Sequence, residues 1–477
     1  VSNEVDIVGV EDEQDRNVMT DESDKDARDQ SEEVGLSPDT VGADPLVPTG
    51  VSGVSPHLDG TMGEAVSFDH VDLNSETTDA ERKRGMMVLF LALIIVGMGH
   101  SIIFNILPPL ARKIGYQEWQ VSTIFAVSAF FWVFSSPFWG MKSDIWGRKT
   151  AILIGTTGYT ISMLLFATAI RAAETGMVSL MGGFFLMITA RSIFGLFGSS
   201  TNPAANAYVA DRTSPKQRAA GMGLLAAAFG VGGILGPGVA GALSVFGLLV
   251  PIYFIAVMGA ISGVLVWKFL PERTRPSQRV KRGKIPLTDR RVLPFVIFGV
   301  MLSLVQSITG QTITFYFMDK LSISPDLAPQ YTGPAFMASA MAAIFAQFVF
   351  VQHFGLKTRT LMRWGIGISI CTYALFVIAP SYGPLMFAMM MQGFAFGLAR
   401  PGFSAAASLA VEPHEQGAVA GLMGGTGAAG HILSPLVVLF LYQGVSPEAP
   451  YMLGTGLLIV LFATLFWVPA FKADRDH

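Results

Sequence analysis

The chain has 477 residues, 51% of them hydrophobic and 14% charged, with 51 glycines and a mean hydropathy of +0.50, a balance that argues against an ordinary water-soluble enzyme. The net charge of −3 divides unevenly: 22 acidic and 6 basic residues up to Arg84 leave −16, whereas 13 acidic and 26 basic residues beyond it leave +13. A single cysteine, Cys371, excludes an intramolecular disulfide and a Cys-based metal cluster.

Residues 1–84 are rich in Asp, Glu, Ser, Thr and Gly and poor in aromatics, so they bury too little apolar surface to offset the entropy of ordering. They are expected to form a disordered, acidic cytoplasmic tail. No charged-then-apolar-then-small pattern marks a secretory signal, and with Val at position 1, Met62 and Met86 stand as later start candidates.

Beyond Arg84 long apolar segments recur to the end of the chain. A spanning helix needs about 20 mostly apolar residues. Twelve such segments are expected, near 86–108, 119–141, 150–170, 183–207, 219–245, 250–269, 292–317, 331–352, 362–380, 384–408, 417–443 and 451–471. Backbone groups in lipid must be paired within the segment, which makes them helices and the chain an all-α membrane protein.

Lys and Arg concentrate in the loops after the even-numbered helices, including Lys142, Arg148 and Lys149, then Arg212, Lys216 and Arg218, then the run from Lys268 to Arg291. The alternate loops hold few: Arg112, Lys113, Arg171 and Lys320. The positive-inside rule then puts both termini in the cytoplasm of a cell (inner) membrane protein.

The Lys268–Arg291 loop divides the helices six and six, giving a six-helix half over 85–270, a basic cytoplasmic linker over 271–291 and a second half over 292–477. Three prolines recur at an offset of 198 residues: Pro203 with Pro401, Pro215 with Pro413, and Pro237 with Pro435. Two related halves suggest a transporter with its site between them, near the bilayer midplane.

Several motifs sharpen that reading. The loop after the second helix reads Gly140-Met-Lys-Ser-Asp144-Ile-Trp-Gly147-Arg148-Lys149. Its glycines permit a tight turn, and Asp144 can sit against the positive N-terminus of a neighbouring helix. Arg148 would bridge Asp144 to Asp211 as a conformational latch. The second-half loop from His353 to Arg363 lacks a carboxylate, so the latch is one-sided. Arg191 lies inside the fourth helix and is followed by Gly195, Gly198, Asn202, Pro203 and Asn206; an arginine within the hydrocarbon is costly unless it faces a polar cavity or a partner. The fifth helix carries Gly230, Gly233, Gly236, Pro237 and Gly241, small residues that allow close backbone approach, with a proline bend.

The loop resembles the signature G-x-x-x-D-x-x-G-R-[RK] of the major facilitator superfamily, and the fourth- and fifth-helix motifs are similar to those of its twelve-helix drug:proton antiporter group. The Asn105-Ile-Leu-Pro108-Pro109 end of the first helix is similar to that group as well. The resemblance covers residues 86–471 and leaves the tail without a counterpart. It implies the two-half fold, a helix-eleven partner for Asp144 near Gly417, and a cavity lined by the first, fourth, seventh and tenth helices. Their polar residues are Asn105, Arg191, Asn202, Asn206, Gln306, Gln311, Tyr316, Gln392 and Arg400.

One departure bears on coupling. Many members of that group carry a carboxylate inside the first or a nearby helix, yet none of the 13 carboxylates after Arg84 falls mid-span here. His100 and His431 are the remaining proton candidates, since histidine titrates near neutral pH, with Asp144 a further one. Arg191 and Arg400 make the cavity positive, favouring neutral, zwitterionic or anionic amphiphiles.

The expected function is efflux of small amphiphiles by alternating access, coupled to protons, in a monomer embedded in the lipid bilayer. The alternatives are a dedicated exporter of one metabolite such as a siderophore, an importer, and a non-transporting receptor with the same fold. No enzyme activity, cofactor, metal or nucleic-acid partner is expected: the sequence has no phosphate-cradling Gly-x-x-x-x-Gly-Lys-Ser/Thr loop and no paired metal-ligand spacing.

Overall fold

The computed structural model describes residues 78–213, 215–272, 286, 289–412 and 415–471. The tail expected over 1–84 thus lies outside the described residues except for 78–84, as does most of the linker expected over 271–291.

Among the described residues the chain forms twelve long helices. The first six are α1 (Asp79–Ile114), α2 (Glu118–Trp146), α3 (Arg148–Glu174), α4 (Leu180–Asp211), α5 (Pro215–Ser244) and α6 (Val250–Phe269). The second six are α7 (Leu293–Leu321), α8 (Ala328–His353), α9 (Thr358–Ile378), α10 (Tyr382–Leu409), α11 (Gln416–Val437, continued by π-helical Val438–Gln443) and α12 (Ala449–Trp467). Eleven of the twelve are long and apolar enough to cross a membrane. The exception is α10, whose Gln392, Arg400, glycines and prolines dilute its hydropathy; it packs between α8 and α9.

The first helix departs from expectation at both ends. It starts at Asp79, because Thr78 and Glu81 form a reciprocal cap: the Glu81 N–H donates to the Thr78 hydroxyl at 3.3 Å, and the Thr78 N–H to the Glu81 carboxylate at 3.4 Å. It also continues past Pro108 and Pro109 to Ile114. Proline lacks an N–H, so Pro108 leaves the Phe104 carbonyl without its helical donor. The Thr314 hydroxyl of α7 fills that place at 3.4 Å. Gly115 then ends the helix with φ 102°, a left-handed cap that glycine adopts without strain.

Within the first half α1 packs on α5 and α6, α3 on α4 and α6, and α2 on α4. In the second, α7 packs on α11, α9 on α10 and α12, and α8 on α10. The halves meet chiefly through α5 against α8 and α2 against α11, with α1 touching α7. Helices alternate in direction, so Lys142, Arg148, Arg212 and Arg291 share one end, called here the basic end, and Arg112, Glu118, Asp319 and Glu448 share the opposite end.

Candidate functional site

A cavity of about 910 Å³ lies between the halves. Its walls come from α1, α2, α4 and α5 on one side and α7, α8, α10 and α11 on the other. Toward the basic end the lining reaches Ser408 and Val419. There Gly223 of α5 and Gly421, Gly424 and Gly425 of α11 face open space.

The opposite end is shut. Phe104 and Phe125 stack at 4.3 Å to form part of the cavity floor. Beyond them, α5 and α8 approach so closely that a methyl on Gly333 would lie 2.7 Å from the Pro237 carbonyl and one on Gly238 2.5 Å from the Met337 sulfur. Asn105, fully buried, clasps this seam: its amide donates to the carbonyls of Pro237 and Pro329 at 3.4 Å each and accepts from the Thr332 hydroxyl. Ion pairs complete the closure. Arg112 of α1 bridges Asp319 of α7 and Glu118 of α2, each at 2.5 Å, and Lys113 pairs with Asp326 at 2.8 Å. The Gln443 amide of α11 donates to Glu118.

Of the nine polar residues expected in the cavity, Arg191, Gln306, Gln392 and Arg400 line it. Asn105, Asn202, Asn206, Gln311 and Tyr316 do not. Asn105 is spent on the seam. Gln311 lies beneath the floor, bonded to the His431 ring at 3.0 Å and accepting from Ser434 at 2.7 Å. Tyr316 is fully buried and donates to the Phe376 carbonyl at 2.8 Å, inside the second half. Asn202 and Asn206 sit nearer the basic end of α4, outside the lining. Both histidines border the cavity: His100 packs edge-on against Phe104 at 5.1 Å, and His431 lies 6.0 Å from the same ring.

The cavity is electrostatically one-sided, since no Asp or Glu is among its lining residues. Arg191 is buried, its guanidinium 4.5 Å from the centre of the Phe194 ring, and its Nε has no hydrogen-bond partner among the described residues. Phe194 supplies a cation–π contact, whereas a buried donor without a partner is costly. The remaining walls are largely aromatic and aliphatic, including Trp132, Phe229 and Phe403.

At the basic end Arg148 pairs with Asp144 at 2.5 Å and Asp211 at 2.9 Å, and donates to Ser143 at 2.6 Å. Its side chain is 8% exposed, against 39% and 34% for the two carboxylates. Gly147 makes the turn with φ 96°, and a methyl there would meet the Glu272 carboxylate at 2.8 Å. A methyl on Gly140 would lie 3.9 Å from Pro203 of α4, an ordinary contact, so the approach of α2 and α4 there does not require glycine. Lys149 makes no ion pair among the described residues. Asp144 likewise makes no hydrogen bond to the start of α11 among them; Arg291 instead holds Glu415 there at 2.9 Å. Arg291 also keeps the Asp289 carboxyl below its usual range by hydrogen bonding.

The fifth-helix glycines divide by face. Gly232, which was not singled out, and Gly236 press on α1, at the Ile94 and Met98 carbonyls, with Gly236 also meeting Ser101. Gly241 faces the Pro329 carbonyl of α8, 3.1 Å from a built methyl. Gly230 is in loose contact with Ile344, and Gly233 opens onto the cavity, so these two do not serve close packing. The Arg112–Glu118–Asp319 cluster was also missed. Its signal in the sequence is faint: opposite charges at helix ends predicted to share a membrane face.

Twelve helices in two halves around a central cavity define a polytopic membrane protein of the transporter class. The Major Facilitator Superfamily profile matches residues 89–354 and 349–477, and the chain belongs to that family. It is similar to quinolone resistance protein NorA of Staphylococcus aureus (strain MSSA476), with 24% identity over 378 residues, 78% of this chain and 93% of that one. Multidrug resistance protein 2 of Bacillus subtilis (strain 168) is 26% identical over 403 residues, 81% and 96% of the two chains. Among solved structures, a mutant of the nucleoside transporter NupG has a similar fold, with a TM-score of 0.65 at 16% identity, covering 81% of this chain and 99% of that one.

Proposed function

We propose that this chain exports small amphiphilic molecules from the cell by alternating access, as a proton antiporter. The observation that carries the reading is the cavity between the halves, open toward the basic end and closed at the other by bonds between halves. The basic end faces the cytoplasm under the positive-inside rule, which puts both termini there and makes this the state that loads substrate from inside. The resistance functions named for the two similar bacterial proteins support efflux over import.

The lining sets the substrate class. An apolar body fits the aromatic walls, and a neutral or anionic polar group suits Arg191 and Arg400, which have no carboxylate opposite them. A simple organic cation would enter against two positive charges. The Asp144–Arg148–Asp211 cluster acts as the latch of the cytoplasmic end, and His100 and His431 exchange protons with the cavity.

The test uses inside-out vesicles with an acid lumen and a pH-sensitive dye, challenged with neutral, anionic and cationic amphiphiles. Collapse of the gradient on adding neutral or anionic compounds is the expected result. Silence across the panel from folded protein overturns the export reading.

A further inference from the structure

The loop that opens α9 corresponds to the one that opens α3, but its arginines lack the partners found there. In the first half Arg148 is held by Asp144 and Asp211. In the second, the stretch from His353 to Arg363 has no carboxylate, so the first turn of α9 has none either. Arg359 and Arg363 make no ion pair and no side-chain hydrogen bond among the described residues. Other arginines of the basic end are satisfied: Arg291 by Asp289 and Glu415, Arg212 by the Pro271 carbonyl and Arg218 by that of Ala210.

The two unpartnered side chains lie on one face of α9. Four residues separate them, which is about 6 Å along the axis at 1.5 Å per residue. The Arg363 guanidinium sits 4.4 Å from the centre of the Phe466 ring, which places that face in the groove between α9 and α12. Both Nε atoms are buried without a partner, whereas the terminal nitrogens are not buried, so each guanidinium keeps its far edge open to the surroundings. A partly desolvated cation is costly unless an anion joins it.

The start of α9 adds to the positive field. Its N-cap residue, Lys357, makes no side-chain cap hydrogen bond, so the first turn lacks both a side-chain acceptor and an acidic residue. The surroundings are those of a membrane interface. Trp364 and Trp467 are 62% and 80% exposed at this end, and indole rings settle at headgroup depth. Deeper in, the same face of α9 continues from Arg363 through Gly367 to Cys371, which is exposed and about 12 Å further along the axis. Between them the Phe462 ring of α12 lies 3.6 Å from a methyl built on Gly367, which gives the groove an apolar floor.

We infer that the groove between α9 and α12 at the basic end binds an anionic glycerophospholipid, its phosphodiester between Arg359 and Arg363 and one acyl chain along Phe462 toward Cys371. Guanidinium and phosphate meet in bidentate fashion, and the open first turn of α9 donates to the same oxygens. The apolar floor and the exposed indoles select a lipid over a soluble phosphate, which would use neither. No residue of α9 or α12 is among those lining the cavity, so the site stands whichever molecule the cavity carries.

The test uses Cys371, the one cysteine of the chain, as its reporter. Full-length protein with a bimane label there is placed in phosphatidylcholine vesicles containing a small fraction of lipid brominated on its acyl chains, either phosphatidylglycerol or phosphatidylcholine. Bromine quenches the label on contact. Brominated phosphatidylglycerol should quench at least threefold more strongly than the same fraction of brominated phosphatidylcholine. Arg359→Gln combined with Arg363→Gln should bring the two to parity. Arg359→Gln alone, which leaves Arg363 on the Phe466 ring, should at least halve the preference and guards against a fold lost in the double variant. Lys268→Gln, at the end of α6, should keep the preference in full. Equal quenching by the two lipids in the wild-type protein overturns the site, as does an unchanged preference in the arginine variants. Loss in Lys268→Gln matching that in Arg359→Gln would mean general attraction to the basic end, and overturns it too.

Two further arms separate the sources of the anion. Inorganic phosphate in the buffer should leave the quenching as it is; reversal would give the arginines to a soluble anion and overturn the lipid site. Asp474→Asn combined with Asp476→Asn should likewise change nothing. A preference that appears only in that variant would assign the two arginines to the chain's own carboxylates, and overturns the proposal.

Discussion

Arg112 and Asp319 meet 2.5 Å apart across the boundary between the two halves, at the end of the bundle remote from the Arg148 ion pairs. Their side chains are 27% and 31% exposed, so solvent screens part of their attraction. A partly exposed pair contributes about 0.2–1 kcal/mol. Arg112→Gln should therefore shift the two-state equilibrium toward the outer-open form by roughly 1.4- to fivefold, and not abolish either state. Distance measurement between labels at Gln117→Cys and Leu327→Cys checks this. An unchanged distribution would mean that the α5–α8 seam alone holds the end shut.

The fifth helix offers a paired prediction. A side chain at Gly236 has no room, because its first carbon would overlap Ser101 and the Met98 carbonyl of α1. Gly236→Leu should cost about 1–3 kcal/mol through overpacking and stop transport, with lower thermal stability of the purified protein. Gly233 opens onto the cavity, so Gly233→Leu should fold normally and reduce export of bulky substrates more than small ones. Equal loss of folding in the two variants would return the whole motif to generic packing.

How far the sequence could be read depends on how local each signal is. Helix number and order follow from runs of apolar residues. The Asp144–Arg148 pair is four residues apart, and its third member, Asp211, lies at the end of a recognisable helix. The cavity was legible only in part, because polarity marks a residue that needs a partner without saying whether the partner is substrate or protein. Arg191 and Gln392 face the cavity, whereas Asn105 and Gln311 satisfy themselves on prolyl carbonyls, a histidine and a serine brought near by folding. The gate was illegible for the same reason, since Arg112 and Asp319 are 207 residues apart. The early start of α1 was visible in principle in Thr78 and Glu81, three residues apart, but the charged run beside them masked it.

The proposed latch predicts a separation between binding and movement. Asp144→Asn leaves Arg148 its Asp211 partner and the Ser143 hydroxyl, so the loop should stay folded. What it removes is the more exposed of the two carboxylates on Arg148. Transport should fall by at least tenfold while substrate affinity and melting temperature stay near wild type. Wild-type flux in this variant would defeat the latch.

The last prediction concerns charge selection. Arg191 presents a buried guanidinium to the cavity wall, and no lining carboxylate neutralises it. An anionic substrate group in the cavity would pair with the guanidinium through charge-assisted hydrogen bonds, worth about 1.5–3 kcal/mol each in favourable geometry. Arg191→Ala should therefore weaken binding of anionic amphiphiles by roughly ten- to a hundredfold and leave neutral ones within about threefold. It should also admit cations that the wild-type protein rejects, because removing one of two positive charges lowers the barrier to their entry. Equilibrium binding of a matched trio of compounds, identical except for an anionic, neutral or cationic head group, measures all three effects. Equal weakening across the trio would assign Arg191 to the packing of α4 and its neighbours, and not to substrate choice.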